Sequence, residues 1–280
     1  DTGFQTEHFI FPHGEQHKTL ATYGRALNFL CDRRFTREDV IIALGGGVVG
    51  DLAGFTAATY QRGITYIQVP TTLLSMMDSS VGGKTAVDLD HGKNQAGCFH
   101  QPAMVLCDPA LLSTLPEREY RCGCAEIIKT AMLFDAGFFR ELRQTPVRGQ
   151  LEHVLSVCVA AKRDVVQSDE FDRGQRALLN FGHTVGHAVE ACRDFTISHG
   201  EGVAIGMAVV TRAAVNLGNG LRMSLARNKT SPLPTFSMRR RPTKSGRMMP
   251  SVSSYRRPWA AAARRPFRLW SWQIGCGMED

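Results

Sequence analysis

Short apolar runs alternate with amphipathic stretches over the first half of the chain. The runs at 39–44, 64–69 and 103–107 are bounded by turn residues and are typical of buried parallel strands. A helical stretch at about 20–30 precedes the first run, and another helix is predicted to begin in the glycine-rich segment directly after it. Strands that alternate with helices in this way predict a parallel α/β sheet.

The pattern changes after Pro116 and again near Asn219. Helical periodicity then recurs, with no strand predicted in between, over 117–133, 151–168, 176–193 and 200–217. Beyond Asn219 the text is rich in Arg, Ser and Pro and sustains no period, so it cannot bury enough apolar surface to offset its ordering entropy. We therefore predict an α/β domain at 1–115, an all-α domain at 116–220 and a basic, disordered tail at 221–280.

The net charge of +7 is concentrated in that tail. From Leu221 onward there are 13 Lys and Arg against 2 Asp and Glu, whereas the preceding residues carry 20 basic and 24 acidic side chains. The predicted folded part is therefore slightly acidic, and nucleic acid is not expected as its partner.

Other compositional features narrow the class of protein. The eight cysteines lack paired Cys-x-x-Cys spacing, which argues against a disulfide scaffold or a zinc ribbon and favours a reducing cytoplasm. The longest apolar runs are far shorter than the roughly 18 residues of a membrane span, so no membrane partner is expected. The first residue is Asp rather than Met, and we interpret the chain as a piece of a longer one.

Three histidines lie within seventeen positions and suggest a metal site. His183 and His187 are four apart, so they share one face of a helix, and His199 follows after a short loop. Imidazole nitrogen is a favoured ligand of zinc, whereas packed or surface histidines are the simpler reading of each residue alone. A zinc peptidase is excluded, because Thr184 stands where that motif requires a glutamate.

Several motifs suit anionic ligands. Gly45, Gly47 and Gly50 match G-x-G-x-x-G after a strand and at a helix start, although a helix-packing glycine cluster explains them equally well. Residues 78–85 are not a P-loop, because Asp78 stands where the first glycine is required. The segment is instead predicted to be a loop that carries Asp78 and Lys84, with Lys93 and Asn94 following nine residues later. Such a loop either binds phosphate or carboxylate or is simply exposed and charged.

Charged residues also recur at helical spacing in the second half. Glu126 and Lys129 are three apart, which fits a surface ion pair or a carboxylate that completes the metal site. Lys162 lies on the helix predicted at 151–168, which precedes the helix predicted at 176–193. Spacings of four, three and four place a further set on one predicted stripe that would be costly to bury without a ligand, namely Arg176, Asn180, His183 and His187.

Six motifs in register give these weak signals one interpretation. They are GGGVVGDLAGF, YQRGITYIQVPTTLLSMMDSSVGGKTAV, GKNQAG, AEIIK, LLNFGHTVGHAVEA and HGEGVAIGM. Together they resemble the 3-dehydroquinate synthase family of sugar phosphate cyclases, in order from about Phe11 to Met207. The resemblance implies a Rossmann-like, NAD-binding α/β domain that lacks its first strands, followed by an all-α metal-binding domain.

The resemblance also implies an activity, a lyase reaction of the shikimate pathway in aromatic amino acid biosynthesis. Such a cyclase converts 3-deoxy-arabino-heptulosonate 7-phosphate into 3-dehydroquinate and phosphate. NAD transiently oxidises one carbinol, zinc polarises that hydroxyl, and no net redox change occurs. Cobalt is an alternative metal. A cytoplasmic homodimer is expected.

Roles for individual residues follow from the matched motifs. The implied metal ligands are Glu126, His183 and His199, and His187 is implied to contact the substrate. The implied NAD site comprises Glu15, Lys18, Gly47, Val48, Val49, Gly50, Asp51, Thr71, Thr72, Lys84, Lys93, Leu111, Leu112, Ser113 and Thr114. The implied substrate and catalytic residues are Asp78, Lys84, Asn94, Lys129, Lys162, Arg176 and Asn180, with Arg62 reaching a phosphate across a dimer interface.

The chain departs from the family pattern at three places. The family has a first strand before Asp1, Asp172 stands where glutamate is expected, and the tail replaces further amphipathic helices with aperiodic basic text. A shifted reading frame would produce such a change and would leave a fragment that only binds ligands. The competing interpretations are a sibling cyclase such as 2-deoxy-scyllo-inosose synthase and a non-catalytic protein that binds NAD or metal and contacts nucleic acid through its tail.

Overall fold

A computed structural model describes residues 3–193 and 196–216, together with the backbone of 268–274. The N-terminal region contains a five-stranded sheet in which all neighbouring strands are parallel. In spatial order the strands are Gln5–Phe11 (β1), Arg268–Ile274 (β7), Val40–Gly45 (β2), Thr65–Pro70 (β3) and Met104–Val105 (β6).

Helices and a hairpin cover this sheet. The helices are Leu20–Asp32 (α1), which Thr19 caps through the backbone N–H of Thr22, and Gly47–Thr59 (α2). The strands Lys84–Leu89 (β4) and Gly92–Phe99 (β5) form an antiparallel hairpin. One apolar core joins the sheet to both helices, because every second residue of β2 and most residues of α2 are buried.

The described residues between Glu117 and Asn216 are largely helical. The helices are Glu117–Phe134 (α3), Ala136–Gln144 (α4), Leu151–Ser168 (α5), His183–Cys192 (α6) and His199–Asn216 (α7). A second core joins α3, α4 and α5 to the π-helical turn Ser75–Ser79, which follows β3. No helix among the described residues is long and apolar enough to span a membrane.

The predicted fold class is confirmed in outline. The runs at 39–44, 64–69 and 103–107 contain the parallel strands β2, β3 and β6, and the helices α3, α5 and α7 occupy the stretches predicted at 117–133, 151–168 and 200–217 as far as Asn216. The sequence analysis did not predict β1, the β4–β5 hairpin or α4. Short, half-exposed strands and a nine-residue helix carry a weak periodic signal, which explains these omissions.

The helix predicted for 176–193 is wrong over its first half. A 3-10 turn occupies Gln175–Asn180, and α6 begins only at His183. Gly182, between them, has a φ of 83°, which a residue with a side chain rarely adopts. A Cβ at Gly182 would also lie 2.9 Å from the carbonyl oxygen of Val203. The predicted continuous stripe through Arg176 and His187 is therefore interrupted.

The predicted disorder of the tail is wrong for the seven residues of β7. This strand lies between β1 and β2 and pairs with both. Backbone groups of sheet strands need hydrogen-bond partners, and the sequence RLWSWQI has the Leu, Trp and Ile content that suits a strand. Averaging composition over sixty residues concealed this short segment. The rest of the predicted tail, 221–267 and 275–280, lies outside the described residues.

Candidate functional site

Glu126, His183 and His199 come together where α3, α6 and α7 meet. The Nε2 atoms of His183 and His199 lie 3.6 Å and 3.5 Å from Oε1 of Glu126, and one ligand atom from each residue lies within 4.8 Å of the others. Both Glu126 oxygens are buried without a hydrogen-bond partner, although the Lys129 ammonium forms an ion pair with Oε2. One carboxylate and two imidazoles form a donor set that suits zinc.

Close packing of α6 against α7 positions the two histidines. A Cβ at Gly206 would lie only 2.0 Å from the carbonyl oxygen of Gly182, so the backbones touch at this crossing. His183 and His199 are the first residues of their helices. The glycine crossing therefore brings two helix starts alongside the buried middle of α3.

The electrostatic environment keeps one histidine neutral and favours the proton on another. Burial, assisted by the Lys129 ammonium, lowers the pKa of His183 to about 4. Burial would also lower the pKa of His199, but the carboxylates of Glu126 and Glu190 outweigh it and raise that pKa. Burial alone would raise the pKa of Glu126, yet His199 and Lys129 hold it below its ordinary value. His183 is thus available as a neutral ligand near pH 7.

A second group of charges lies beside this cluster. The Lys162 ammonium donates to the backbone carbonyl of Asp78 at 2.5 Å and pairs with the Asp78 carboxylate. Burial alone would raise the pKa of Asp78, but Lys162 and Lys129 hold it below its ordinary value. Burial lowers the pKa of Lys162, despite the neighbouring carboxylate. The side chains of Lys162 and Lys129 therefore lie close to the carboxylate and imidazole cluster.

Two cationic side chains join the helical region to the hairpin. The buried Arg176 guanidinium donates to the carbonyl oxygens of Glu170 at 2.6 Å and Gly82 at 3.0 Å. Lys84, at the start of β4, lies 2.5 Å from the carboxylate of Asp172. Asp172, which departs from the family pattern, has a φ of 55°. The departure is thus located at a direct contact with a predicted substrate residue.

The predicted cofactor residues include a buried lysine with three partners. The Lys18 ammonium lies 2.9 Å from Glu15, 3.1 Å from Asp51 and 2.7 Å from the side-chain oxygen of Asn94. Burial raises the pKa of Asp51 to about 6, although Lys18 acts in the opposite direction. Asn94, predicted on the substrate side, therefore also contacts the cofactor-side cluster.

The glycine turn and the two threonines lie at the carboxyl ends of β2 and β3. The backbone N–H of Thr71 donates to the carbonyl oxygen of Gly45 at 2.9 Å, and a Cβ at Gly46 would lie 3.0 Å from Cγ2 of Thr72. Gly46 precedes α2 without a side-chain cap. Residues 47–51 thus offer a helix N-terminus at the sheet edge where α/β folds bind nucleotides.

The remaining predicted residues are more peripheral. Leu111, Leu112, Ser113 and Thr114 lie on the 3-10 turn Pro109–Thr114 that follows the last strand of the sheet. The exposed His187 ring lies 5.7 Å from that of His199. Arg62 and Asn180 are exposed, and no hydrogen bond or ion pair joins them to the other predicted site residues among those described.

Glu190 was not singled out by the sequence analysis. Its carboxylate is buried, lies 3.1 Å from Nδ1 of His199, and forms a second potential ligand group with His187 and His199. The available signal was its position three residues after His187, which places it on the same helical face.

Comparisons with known sequences agree with this geometry. The family model described as 3-dehydroquinate synthase N-terminal matches residues 8–122, and that described as 3-dehydroquinate synthase C-terminal matches 123–241. A 3-dehydroquinate synthase from Nostoc sp. is 48% identical over 77% of this chain and 62% of its own length. One from Halorhodospira halophila is 48% identical over 83% of this chain and 69% of its own length. The chain thus spans under two thirds of the Nostoc relative.

Solved structures of related cyclases share the fold. A 2-deoxy-scyllo-inosose synthase complexed with carbaglucose-6-phosphate, NAD+ and Co2+ is 32% identical, with a TM-score of 0.69 over 75% of this chain and 60% of that one. A 2-epi-5-epi-valiolone synthase from Streptomyces hygroscopicus subsp. jinggangensis 5008, with NAD+ and Zn2+ bound, is 30% identical, with a TM-score of 0.69 over 75% of this chain and 61% of that one.

Proposed function

This chain belongs to the 3-dehydroquinate synthase family, and we propose that the protein converts 3-deoxy-arabino-heptulosonate 7-phosphate into 3-dehydroquinate and phosphate. The observation that carries the proposal is the buried Glu126 carboxylate, whose Oε1 faces the imidazole nitrogens of His183 and His199 while the Lys129 ammonium pairs with Oε2. A carboxylate oxygen and two imidazole nitrogens that converge in this way fit a divalent cation.

Glu126, His183 and His199 would hold the metal, zinc or cobalt, as in the related cyclases whose structures contain Zn2+ or Co2+. Three protein ligands leave a position for substrate, as in catalytic zinc sites. When bound, the metal supplies Lewis-acid polarisation of a hydroxyl and NAD supplies its reversible oxidation, so that no net redox change occurs.

Cationic side chains of this chain would bind and orient the substrate. Lys129, Lys162 and Arg176 carry positive charge beside the metal cluster, and the substrate carries a carboxylate and a phosphate. Phosphate departure develops negative charge, which preorganised cations stabilise. Asp78 would hold Lys162 in place through their ion pair. Three further residues would bind the substrate. They are Lys84 and Asn94, toward the cofactor side, and the exposed Asn180.

His187 would contact the substrate at the rim of the site. Burial lowers the pKa of this histidine, so its imidazole is neutral near pH 7 and can accept a proton. Its exposure contrasts with the burial of Glu126 and suits a residue that meets a ligand rather than the metal.

The NAD site would lie along the carboxyl edge of the parallel sheet. The N-terminus of α2, at residues 47–51, would face the pyrophosphate, with Thr71 and Thr72 beside it. Lys18 and Glu15 would form one side of the site, and residues 111–114 another. Lys84 and Lys93, on the hairpin, would contact both cofactor and substrate.

A cytoplasmic homodimer is the proposed setting of this reaction. The exposed position of Arg62, on the turn Tyr60–Arg62 after α2, supports a role across a subunit interface, where it would reach a phosphate of the partner's substrate.

The test is phosphate release from 3-deoxy-arabino-heptulosonate 7-phosphate with NAD, with and without a zinc chelator. We expect release that the chelator abolishes and that Lys162→Met reduces at least about 100-fold, since loss of one transition-state charge contact typically costs that much. Arg163→Met changes an exposed neighbour on the same helix and should retain activity.

Glucose 6-phosphate, offered in parallel, distinguishes a sibling cyclase. Phosphate release from that sugar alone would overturn the proposed substrate while retaining the metal and NAD chemistry. No release from either substrate, with zinc and NAD bound, would mark the chain as a non-catalytic binding fragment.

A further inference from the structure

We propose that Glu190 is a positioning residue, which fixes the proton of His199 on Nδ1 and directs Nε2 toward the metal. The inference rests on the metal site proposed above and adds a residue to it. Glu190 lies on α6, whereas His199 begins α7, so the contact also joins the two helices that carry the histidine ligands.

The two nitrogens of His199 face two different carboxylates. Nδ1 lies 3.1 Å from Oε1 of Glu190, and Nε2 lies 3.5 Å from Oε1 of Glu126. An imidazole that binds a metal through one nitrogen keeps one N–H on the other, and an ionised carboxylate can only accept a hydrogen bond. The shorter contact places the N–H on Nδ1, which leaves the lone pair of Nε2 for the metal. Outer-shell carboxylates orient metal-binding histidines in this manner.

The position of the Glu190 carboxylate is well defined. The residue is 3% exposed, and a Cβ at Gly202 would lie 2.9 Å from its Oε1. Gly202 of α7 therefore leaves the room that the carboxylate occupies beside His199. A longer or reoriented side chain would not fit this gap between the helices.

The other oxygen of Glu190 faces the cofactor side of the molecule. Oε2 lies 4.0 Å from Nζ of Lys93, on β5. The ammonium partly balances a carboxylate that is otherwise costly to bury. Glu190 thus links a proposed metal ligand to a proposed cofactor residue through one side chain.

A competing assignment makes Glu190 a ligand itself. Nitrogen and oxygen atoms of His187, Glu190 and His199 lie within 4.8 Å of one another and could hold a second ion. His199 would then have to give one nitrogen to each of two metals. The positioning role requires only the single hydrogen bond present, so it is the assignment that we argue.

The experiment measures zinc affinity by competition with a chromophoric chelator, without substrate, in the unmodified chain and in Glu190→Ala, Glu190→Gln and Glu152→Gln. Glu152 is exposed on α5 and serves as the control. We expect Glu190→Ala to weaken zinc binding about 10–100-fold, as loss of an outer-shell partner typically does. Glu190→Gln keeps the shape and one acceptor oxygen, so its loss should be smaller. Glu152→Gln should bind like the unmodified chain.

Three outcomes would overturn the assignment. If both Glu190 variants bind zinc within about twofold of the control, Glu190 does not position His199. If the unmodified chain binds two zinc ions and the variants bind one, Glu190 is a ligand. If the unmodified chain binds no zinc, the proposed metal site fails and takes this inference with it. Cobalt absorption spectra provide a second readout, since a rotated His199 would change the ligand field.

Discussion

Two buried clusters in this molecule satisfy their charges in opposite ways. Lys18 has polar partners on Glu15, Asp51 and Asn94, and a longer ion pair with Asp88 at 3.9 Å. Glu126 forms an ion pair with Lys129 through Oε2, whereas its Oε1 faces the imidazole nitrogens of His183 and His199.

The difference lies in the partners that each buried charge finds within the protein. An ammonium group has three donors, and Lys18 has an acceptor near each of them, so its charge is satisfied before any ligand binds. Oε1 of Glu126 instead meets two imidazole nitrogens, and these three ligand atoms suit a metal cation.

Replacing Lys129 should destabilise the metal-free protein strongly. Lys129 and Glu126 are 3% and 0% exposed, so Lys129→Met leaves a buried carboxylate uncompensated, which typically costs about 3–5 kcal/mol. The matched control is Arg121→Met, which breaks an exposed pair with Glu117 on the same helix and should cost about 0.5 kcal/mol or less. Urea unfolding curves measure both. Equal costs for the two variants would contradict the proposed burial effect.

Zinc should stabilise the Glu126 cluster and leave the Lys18 cluster unaffected. At a free concentration of 100 times the dissociation constant, a ligand that binds only the folded state adds about 2.7 kcal/mol to the free energy of unfolding. Glu126→Gln should lose this increment, whereas Lys18→Met should retain it. Unfolding with zinc and with a chelator provides the measurement, and an increment that survives Glu126→Gln would place the ion elsewhere.

Replacing Lys18 should destabilise the protein less than replacing Lys129. Glu15 and Asp51 keep side-chain exposures of 37% and 21%, so water can partly solvate them once the ammonium is removed. We expect Lys18→Met to cost about 1–3 kcal/mol, with or without zinc. If zinc restored the free energy of unfolding that Lys18→Met removes, the two clusters would be coupled. The same denaturant titrations decide between these results.

Acidification should weaken the metal-free protein through His183. Its pKa of about 4 lies below the value of 6.5 for an unperturbed histidine, so the unfolded chain binds the proton more readily. The stability contributed by neutral His183 is therefore present above pH 6.5 and is lost as the pH falls toward 4. Between pH 7 and pH 5 the unmodified chain should lose on the order of 1–2 kcal/mol more than His183→Gln. A parallel pH dependence in both proteins would argue against a depressed pKa.

Most of the sheet and of the long helices could be predicted from periodicity, whereas the site could not be assembled that way. In β2 and α3 the pattern of apolar residues within the segment itself shows which positions are buried, so the element can be predicted from its own sequence. The break at Gly182 depends instead on α7, whose backbone fills the space that a continuing helix would need. A local pattern carries no information about a neighbouring element that is distant in sequence.

The sequence by itself determined which residues are available for chemistry and the motifs that place the chain in its family. His183 and His199 were singled out by type and spacing, Glu126 was considered as a carboxylate that could complete the site, and the likeness to known cyclases assigned all three as ligands. Tertiary structure decided which of these side chains meet, because the glycine crossing of α6 and α7 brings two helix starts to the middle of α3. Only the tertiary structure identified Glu190 as a partner of His199, because the two residues lie on separate helices. Only the tertiary structure placed β7 in the sheet, because its partner strands are far away along the chain.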